Sequence, residues 1–515
     1  MSIPPGTVYL IGAGPGDPGL ITVKGRECLH AAQVVVYDYL ANPALLDTLD
    51  HEVERIYVGK RHGDHHMAQE QINALLVEKA LHGKTVARLK GGDPFIFGRG
   101  GEEALALAEA GVPFEVVPGV TAATAVTAYA GIPLTHRGIN ATVTFVTGQE
   151  DPARPGTLIQ WDELARTRGT LVFFMGVKRL RGICERLVAG GRADDTPAAA
   201  IRWGTHPAQR TITGNLATLA DKVEAADLKP PALIVVGEVV DLHTRIGWFE
   251  HLPLFGRRVL VTRAAGQQGA LARELARLGA DVLAVPTIRI VEPEGYDALD
   301  TAIDHLSIYQ WLVLTSANGV SAFFDRLAHH GRDARALAGI RVATVGAETA
   351  ASLAAHGIVA DLIPSDARAE GLAEMLLAEG IQGQKLLLAQ AAKARRVLPE
   401  TLAAAGVDVN TVAAYRTVPP EPEELDRERL TESPLDYAVF TSSSTVRNLH
   451  GLLGDDFKKI LAPARICAIG PVTADTCREL GLTVHLMPES PAANALVAAI
   501  RADAAGASAP QGEPT

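Results

Sequence analysis

Arg88-Leu-Lys-Gly-Gly-Asp-Pro-Phe-Ile-Phe-Gly-Arg-Gly-Gly-Glu-Glu103 decides how the first half of this 515-residue chain is read. The apolar lead-in from Thr85 to Leu89 predicts a short buried strand that breaks at Gly91-Gly92-Asp93-Pro94. A helix is expected from near Gly98, with Glu102 and Glu103 in its first turns complementing the helix dipole. Two glycines let a ligand approach the backbone, an aspartate offers a carboxylate to hydroxyls, and a proline fixes the exit. Such a loop holds a polar small molecule at the carboxyl edge of an α/β sheet, although Gly-Gly-Asp-Pro also makes ordinary turns.

A second loop of the same kind, Leu10-Ile-Gly-Ala-Gly-Pro-Gly-Asp-Pro-Gly19, lies between a strand near Thr7 to Ile11 and a helical stretch from Leu20 to Ala32. Gly12 and Gly14 fit a dinucleotide fingerprint, but Asp17 stands where its third glycine belongs and Pro15 interrupts the turn. The segment has no phosphate-cradling Gly-Lys-Ser/Thr ending.

Together the two loops resemble the tetrapyrrole methylase family, specifically the uroporphyrinogen-III C-methyltransferases. The resemblance covers about the first 245 residues. It continues through Val34-Val-Val-Tyr-Asp-Tyr39, Tyr57-Val-Gly-Lys-Arg61, Val117-Pro-Gly-Val-Thr-Ala122, Gly131-Ile-Pro-Leu-Thr-His-Arg137 and Phe145-Val-Thr-Gly148. Leu171-Val-Phe-Phe-Met-Gly176, Trp203-Gly-Thr205 and Pro231-Ala-Leu-Ile-Val-Val-Gly-Glu238 follow in order.

Composition narrows the class. A net charge of −11 and only 5% aromatic residues argue against a nucleic-acid or anionic-membrane partner. An acidic substrate must therefore be received by a local basic patch. Cys28, Cys184, Cys467 and Cys477 form no C-x-x-C pair, which argues for a reducing compartment and against a structural metal. With no signal peptide and no apolar run long enough to span a bilayer, a cytoplasmic α/β protein is expected.

Strands near 7–11, 33–37, 54–58 and 85–89 alternate with helical stretches, and a second α/β unit begins past Pro118-Gly119. Its strands are expected near 142–147, 170–175, 198–203, 209–213 and 232–236. The cleft between the two subdomains, about 1–118 and 119–240, is the natural ligand site. Residues 246–256 read as a short, partly packed connector. Beyond it, strands at Arg258-Val-Leu-Val-Thr-Arg263, Asp281 to Pro286, Trp311 to Thr315, Val342 to Val345, Lys385 to Leu388, Tyr437 to Phe440 and Ile466 to Ile469 end in small or hydroxyl residues.

Leu260-Val-Thr-Arg263, Val313-Leu-Thr-Ser-Ala-Asn318, Tyr415-Arg-Thr417, Val439-Phe-Thr-Ser-Ser-Ser444 and Ile469-Gly-Pro-Val-Thr-Ala474 resemble the uroporphyrinogen-III synthase family over about residues 257–500. That resemblance implies two α/β lobes, 257–290 plus 418–500 and 291–417, joined by two crossing strands. Residues 502–515 read as a disordered tail.

The first resemblance implies S-adenosylmethionine as the methyl donor and uroporphyrinogen III as the acceptor, with no metal. By the family pattern Asp38 is the candidate general base; read alone, it is a helix cap. Lys60 matches the family's candidate proton donor, or else is a solvated lysine. Pro15, Gly91, Gly92, Asp93, Ile96, Thr121, Ala122, Met175 and Gly204 match the family's donor-binding positions, although Met175 read alone is core. Arg61, Arg99, His136 and Arg137 offer a basic lining for the acetate and propionate groups.

The second resemblance implies closure of hydroxymethylbilane with inversion of its last ring. Tyr415 is the candidate for helping hydroxide leave, or else a half-buried strand tyrosine. Arg263, Thr315, Ser316, Thr441, Ser442, Ser443 and Thr473 are candidates for binding substrate carboxylates, alongside backbone N–H groups at helix starts.

Three readings follow from these resemblances. The first is a bifunctional enzyme that makes uroporphyrinogen III and dimethylates it toward sirohaem or cobalamin. The others are a methyltransferase with a non-catalytic tetrapyrrole-binding second half, and a methylase of a later corrin intermediate. A homodimer formed through the first half is the expected assembly. No further unit is expected ahead of Met1, so precorrin-2 oxidation and iron insertion fall to other proteins.

Overall fold

The computed structural model describes residues 6–50, 52–59, 67–150, 157–264, 269–365, 368–420 and 425–507. Three sheets organise them. The first is wholly parallel, with order β3-β2-β4-β1-β5: β1 (Val8–Gly12), β2 (Val34–Tyr37), β3 (Glu54–Tyr57), β4 (Val86–Lys90) and β5 (Phe114–Val117). β5 falls just before Pro118, where the periodicity gave no strand. Val8, Leu10, Val34, Val36 and Val86 pack toward one side, and Ile11, Val35, Ala87 and Leu89 toward the other. Helices thus cover both faces, which is why these strands read as unbroken apolar runs.

The second sheet is mixed, with order β6-β7-β10-β8-β9: β6 (Val143–Thr147), β7 (Thr170–Phe174), β8 (Pro197–Arg202), β9 (Arg210–Asn215) and β10 (Ala232–Val236). Only β6 and β7 run parallel. The helix Ala122–Tyr129 leads out of the first sheet and packs Ala123 and Val126 against Val172, Ala199 and Val235 of the second.

The connector is held at both ends. Trp248 Nε1 donates to the Ala128 carbonyl at 3.0 Å, and Glu250 Oε1 accepts from Gln209 Nε2 at 3.0 Å. Phe249 packs against Tyr129, while Leu254 is fully buried in a core with Val259 and Leu275 of the second half.

The third sheet has nine strands in the order β14-β13-β15-β16-β12-β11-β17-β18-β19. These are β11 (Arg258–Ala264), β12 (Asp281–Val291), β13 (Trp311–Leu314), β14 (Arg341–Thr344), β15 (Lys385–Ala391), β16 (Asp408–Val418), β17 (Tyr437–Phe440), β18 (Arg465–Ala468) and β19 (Val484–Leu486). β12 begins parallel to β11 and ends antiparallel to β16, with Ile290 opposite Thr417; β16 begins parallel to β15. Each of these 11-residue strands leaves one lobe at the carboxyl end and enters the other. The carboxyl edges of both lobes therefore face the same two-strand bridge. β12 was expected to stop at Pro286; it runs on to Val291.

The last helix, Ala493–Ala507, carries residues 502–507, which the sequence reading assigned to a disordered tail. Leu496, Val497, Ile500 and Ala504 repeat at helical spacing and bury into the core around Val259 and Cys467, so packing extends the helix past Ala502. Among the described residues no helix is long and apolar enough to cross a membrane.

Phe440, at 0% exposure, anchors the core beside Leu260, Val446 and Phe457. Phe440→Ala is expected to cost about 3–5 kcal/mol. Calorimetry should show the unfolding transition of the C-terminal half falling while that of the N-terminal half stays in place.

Candidate functional site

Three backbone segments meet at the carboxyl ends of β1, β4 and β5. Ala13 N donates to the Lys90 carbonyl at 2.8 Å, and Gly92 N donates to the Gly14 carbonyl at 2.8 Å. A Cβ on Gly12 would lie 2.5 Å from the Gly119 nitrogen and 2.7 Å from the Gly92 carbonyl oxygen. Only glycine permits that approach. The Asp93 carboxylate ties the junction, accepting from Phe95 N at 2.8 Å and from Gly119 N at 3.0 Å. Each oxygen keeps a lone pair for a further donor.

The second subdomain closes on this junction. Asp17 N donates to Thr205 Oγ1 at 2.9 Å, and Tyr129 Oη donates to Asp17 Oδ2 at 2.6 Å. Gly204 abuts the Val126 side chain, where a Cβ would overlap it. Left-handed backbone at non-glycine residues gathers here: Phe97 (φ 53°), Arg99 (φ 59°), Met175 (φ 58°), Trp203 (φ 50°) and Thr205 (φ 71°). Such conformations cost roughly 1–3 kcal/mol each and collect at functional sites. The core alternative for Met175 is corrected by the structure: the residue follows β7 in a turn and is 49% exposed. Pro15, Gly91, Ile96, Thr121 and Ala122 are partly buried around the same junction.

Asp38 follows β2, and its helix-cap alternative is corrected, because the next helix, Pro43–Thr48, takes Asn42 as its N-cap. Oδ1 accepts from Leu40 N at 3.1 Å within a turn, while Oδ2 accepts from Arg88 Nη2 at 3.1 Å. The side chain remains 26% exposed. Arg88 and Lys90 are buried on β4, and both donate to Glu103 Oε1, Arg88 through Nε at 3.1 Å and Lys90 through Nζ at 2.8 Å. Burial first, and the Arg88 charge second, pull the Lys90 ammonium below its ordinary range, with Glu103 opposing both.

Glu102 and Glu103 both fall in the first turn of the helix Gly100–Glu109, as expected. Glu103 is wholly buried, whereas Glu102 is exposed and holds Arg99 at 2.8 and 2.7 Å. Arg99 is thus paired at the protein surface. His136 and Arg137 are exposed on the loop leading to β6. Lys60 and Arg61 lie outside the described residues.

Sequence reasoning missed the Arg88–Glu103–Lys90 cluster. The signal was two cations two residues apart, and therefore on one face, in an otherwise apolar strand.

In the C-terminal half the expected hydroxyl residues sit at the strand ends beside the bridge. Ser316 Oγ accepts from Gly319 N at 3.0 Å, capping the helix Ala317–His329, and shares a 2.9 Å hydrogen bond with Tyr415 Oη. Tyr415 is 8% exposed, more deeply set than a half-buried strand residue. Ser442 Oγ caps the helix Ser443–Leu453 by accepting from Thr445 N at 3.3 Å, and Ser443 Oγ donates to the Val472 carbonyl at 3.1 Å. Thr315 and Thr441 are partly buried at the ends of β13 and β17. Thr473 is corrected: at 5% exposure inside the helix Pro471–Glu479, it packs inward and does not line the loop. The side chain of Arg263 lies outside the described residues.

All four cysteines are free; burial pushes the Cys467 thiol up to about 12 and Cys184 and Cys477 up to about 11, so these three are inert. Among the described residues no group of three His, Cys, Asp or Glu side chains is placed to hold a metal.

The model of the "Tetrapyrrole (Corrin/Porphyrin) Methylases" matches residues 7–220, and that of "Uroporphyrinogen-III synthase HemD" matches residues 269–498. The porphyrin biosynthesis protein HemD of Ruminiclostridium josui is 39% identical over 480 residues, 93% of this chain and 94% of that protein. The chain belongs to this fused methylase–synthase family. An S-adenosyl-L-methionine-dependent uroporphyrinogen III methyltransferase of Methanosarcina barkeri is 51% identical over 242 residues, 47% of this chain and 95% of its own length. A uroporphyrin-III C-methyltransferase of Thermus thermophilus, solved with S-adenosyl homocysteine, is 40% identical and aligns with 46% of this chain and 100% of its own, at a TM-score of 0.40.

Within the methylase half, Gly119→Ala is expected to destabilise the junction, because the new Cβ would lie 2.6 Å from Gly12 Cα. Overpacking of this kind costs about 1–3 kcal/mol. The thermal transition of the methylase half should fall, and that of the synthase half should not.

Proposed function

We propose that this chain cyclises hydroxymethylbilane to uroporphyrinogen III in its synthase half. The methylase half then methylates that product at C-2 and C-7, giving precorrin-2 on the sirohaem or cobalamin branch. The observation that carries the reading is the 480-residue likeness to a single HemD relative, which spans both halves in one chain.

The methylase cleft suits S-adenosylmethionine, which when bound supplies an electrophilic sulfonium methyl. Asp93 retains acceptor capacity for ribose hydroxyls, and Gly91 and Gly92 present bare backbone. Ile96 and the exposed Met175 flank an aromatic base, and Thr121, Ala122, Pro15 and Gly204 close the remaining sides. At the edge of this cleft Asp38 takes the proton released when the pyrrole carbon has been alkylated. Its carboxylate is oriented by Arg88 and by the Leu40 amide, while the exposed quarter of its surface is open to substrate. Lys60, Arg61, Arg99, His136 and Arg137 contribute charge to the carboxylate-bearing periphery of the substrate. A homodimer through the methylase half completes this reading.

In the synthase half, the pocket holds flexible substrate between two lobes in one conformation. The Tyr415 hydroxyl, aligned by Ser316, donates to the departing hydroxide. Thr315, Thr441, Ser442, Ser443 and Arg263 receive the carboxylates together with helix-start N–H groups.

A coupled anaerobic assay on the full chain tests both halves. Hydroxymethylbilane alone should give the type-III ring, and addition of S-adenosylmethionine should convert it to a dimethylated product identified by mass. The spontaneous type-I ring alone in the donor-free reaction would reduce the synthase half to a binding module. Preformed uroporphyrinogen III left unmethylated would instead point to a later corrin substrate.

Asp38→Asn is expected to slow methylation by about 10²–10⁴-fold without slowing cyclisation. Tyr415→Phe should slow cyclisation by less than about tenfold, because holding the substrate does most of the work. Initial rates of each step, measured separately, check both.

A further inference from the structure

We propose that Glu103 and Lys90 are positioning residues that set, through the Arg88 guanidinium, where the Asp38 carboxylate sits and how readily it accepts a proton. This rests on the reading of Asp38 as the base. Arg88 is fixed from three sides: Nε donates to Glu103 Oε1 at 3.1 Å, Nη1 to the Leu89 carbonyl at 3.2 Å and Nη2 to Asp38 Oδ2 at 3.1 Å. The planar fork cannot turn toward Asp38 without also facing Glu103.

Glu103 is loaded unevenly. Oε1 accepts from Arg88, from Lys90 and from Gln69 Nε2 at 3.2 Å, while Oε2 is buried with no hydrogen-bond partner among the described residues. Stability alone does not call for such a group, because well-packed apolar side chains of similar volume serve a core as well or better. Glu103 also joins the two parts of the site. Its helix, Gly100–Glu109, begins with Gly100 N donating to the Pro94 carbonyl at 3.0 Å, so the Gly-Gly-Asp-Pro loop and the Asp38 ion pair share one rigid element.

Among the described residues, the charged groups facing this cluster are few. Arg88 and Lys90 come from β4 and Asp38 from the end of β2; the helix Gln69–Leu81 brings Gln69 and, farther off, Glu70. Arg99 and Glu102 at the start of the Gly100 helix neutralise each other. Deleting one buried charge therefore changes the field at Asp38 with a definite sign. Glu103→Gln removes an anion and leaves Arg88 to Asp38 alone, so the carboxylate stays ionised to lower pH. Lys90→Met removes a cation, frees Glu103 to neutralise Arg88, and has the opposite effect.

The experiment measures methylation of uroporphyrinogen III by the full chain across pH, with S-adenosyl homocysteine affinity and melting temperature followed in parallel. The acid limb of kcat/KM is expected to move down for Glu103→Gln and up for Lys90→Met, each by about one pH unit. For Glu103→Gln kcat should fall about tenfold with KM held within about twofold, and Glu103→Asp should restore the original limb. Unmoved limbs, or limbs moving in the same direction, overturn the proposal, as does a loss of rate explained by lost S-adenosyl homocysteine binding. If Asp38→Asn keeps full activity, the reading of Asp38 falls and the proposal with it. If Asp38→Asn abolishes methylation while neither neighbour moves the limb, only the proposal falls.

Discussion

The methylase half is organised around a contact that no side chain could survive. Gly12, Gly92 and Gly119 bring three strand-end loops into backbone contact, with hydrogen bonds between Gly14 and Gly92 sealing it. Strand order makes this possible, because β1 lies between β4 and β5 and all three end on the same edge. Once the loops are joined, Asp93 can bridge them, and the following turn is forced into left-handed backbone at Phe97 and Arg99. The second subdomain adds strained residues of its own at Met175, Trp203 and Thr205, where it closes on the first loop. The apolar clusters beneath both sheets offset that local cost.

A different constraint governs the synthase half. Among the described residues, two long strands bridge the lobes of the sheet, and Tyr415 stands on one of them. Its hydroxyl meets Ser316, which caps a helix belonging to the lobe that β16 is leaving. Any change in lobe angle that bends β16 acts directly on this bond. The pairing shifts register at Ala391 and Tyr415, so the residue sits where the ladder is already irregular and a bend costs least.

Much of this was legible because strand ends announce themselves. Apolar runs that break at Gly-Gly-Asp-Pro, Thr-Ser-Ala-Asn or Thr-Ser-Ser-Ser placed the loops of both halves. What escaped depended on partners remote in sequence. Glu103 lies on the inward face of its helix with Gly100, Ala104 and Leu107, a spacing that predicts burial. A glutamate in that place looks like a break in the pattern until Arg88 and Lys90 are seen to lie beneath it. Thr473 is the reverse case: a hydroxyl next to a helix start resembles a ligand, yet its position on the helix turns it inward. The extra length of β12 was hidden because Arg289 to Val291 pair with β16, more than a hundred residues away.

Charge ties the two chemistries together. A chain with a net charge of −11 repels a substrate ringed by carboxylates, and the buried cations Arg88 and Lys90 are largely matched by Asp38 and Glu103. Arg99 is likewise matched, by Glu102. The ion pairs thus order Asp38 and the loops while carrying little net charge of their own. Neutral donors add to the attraction. In the synthase half the helices that begin after Ser316, Gly346, Ser442 and Gly470 all start at the carboxyl edges that face the bridge. Backbone N–H groups there carry partial positive charge that no pH change removes, and they bind without desolvating a formal cation.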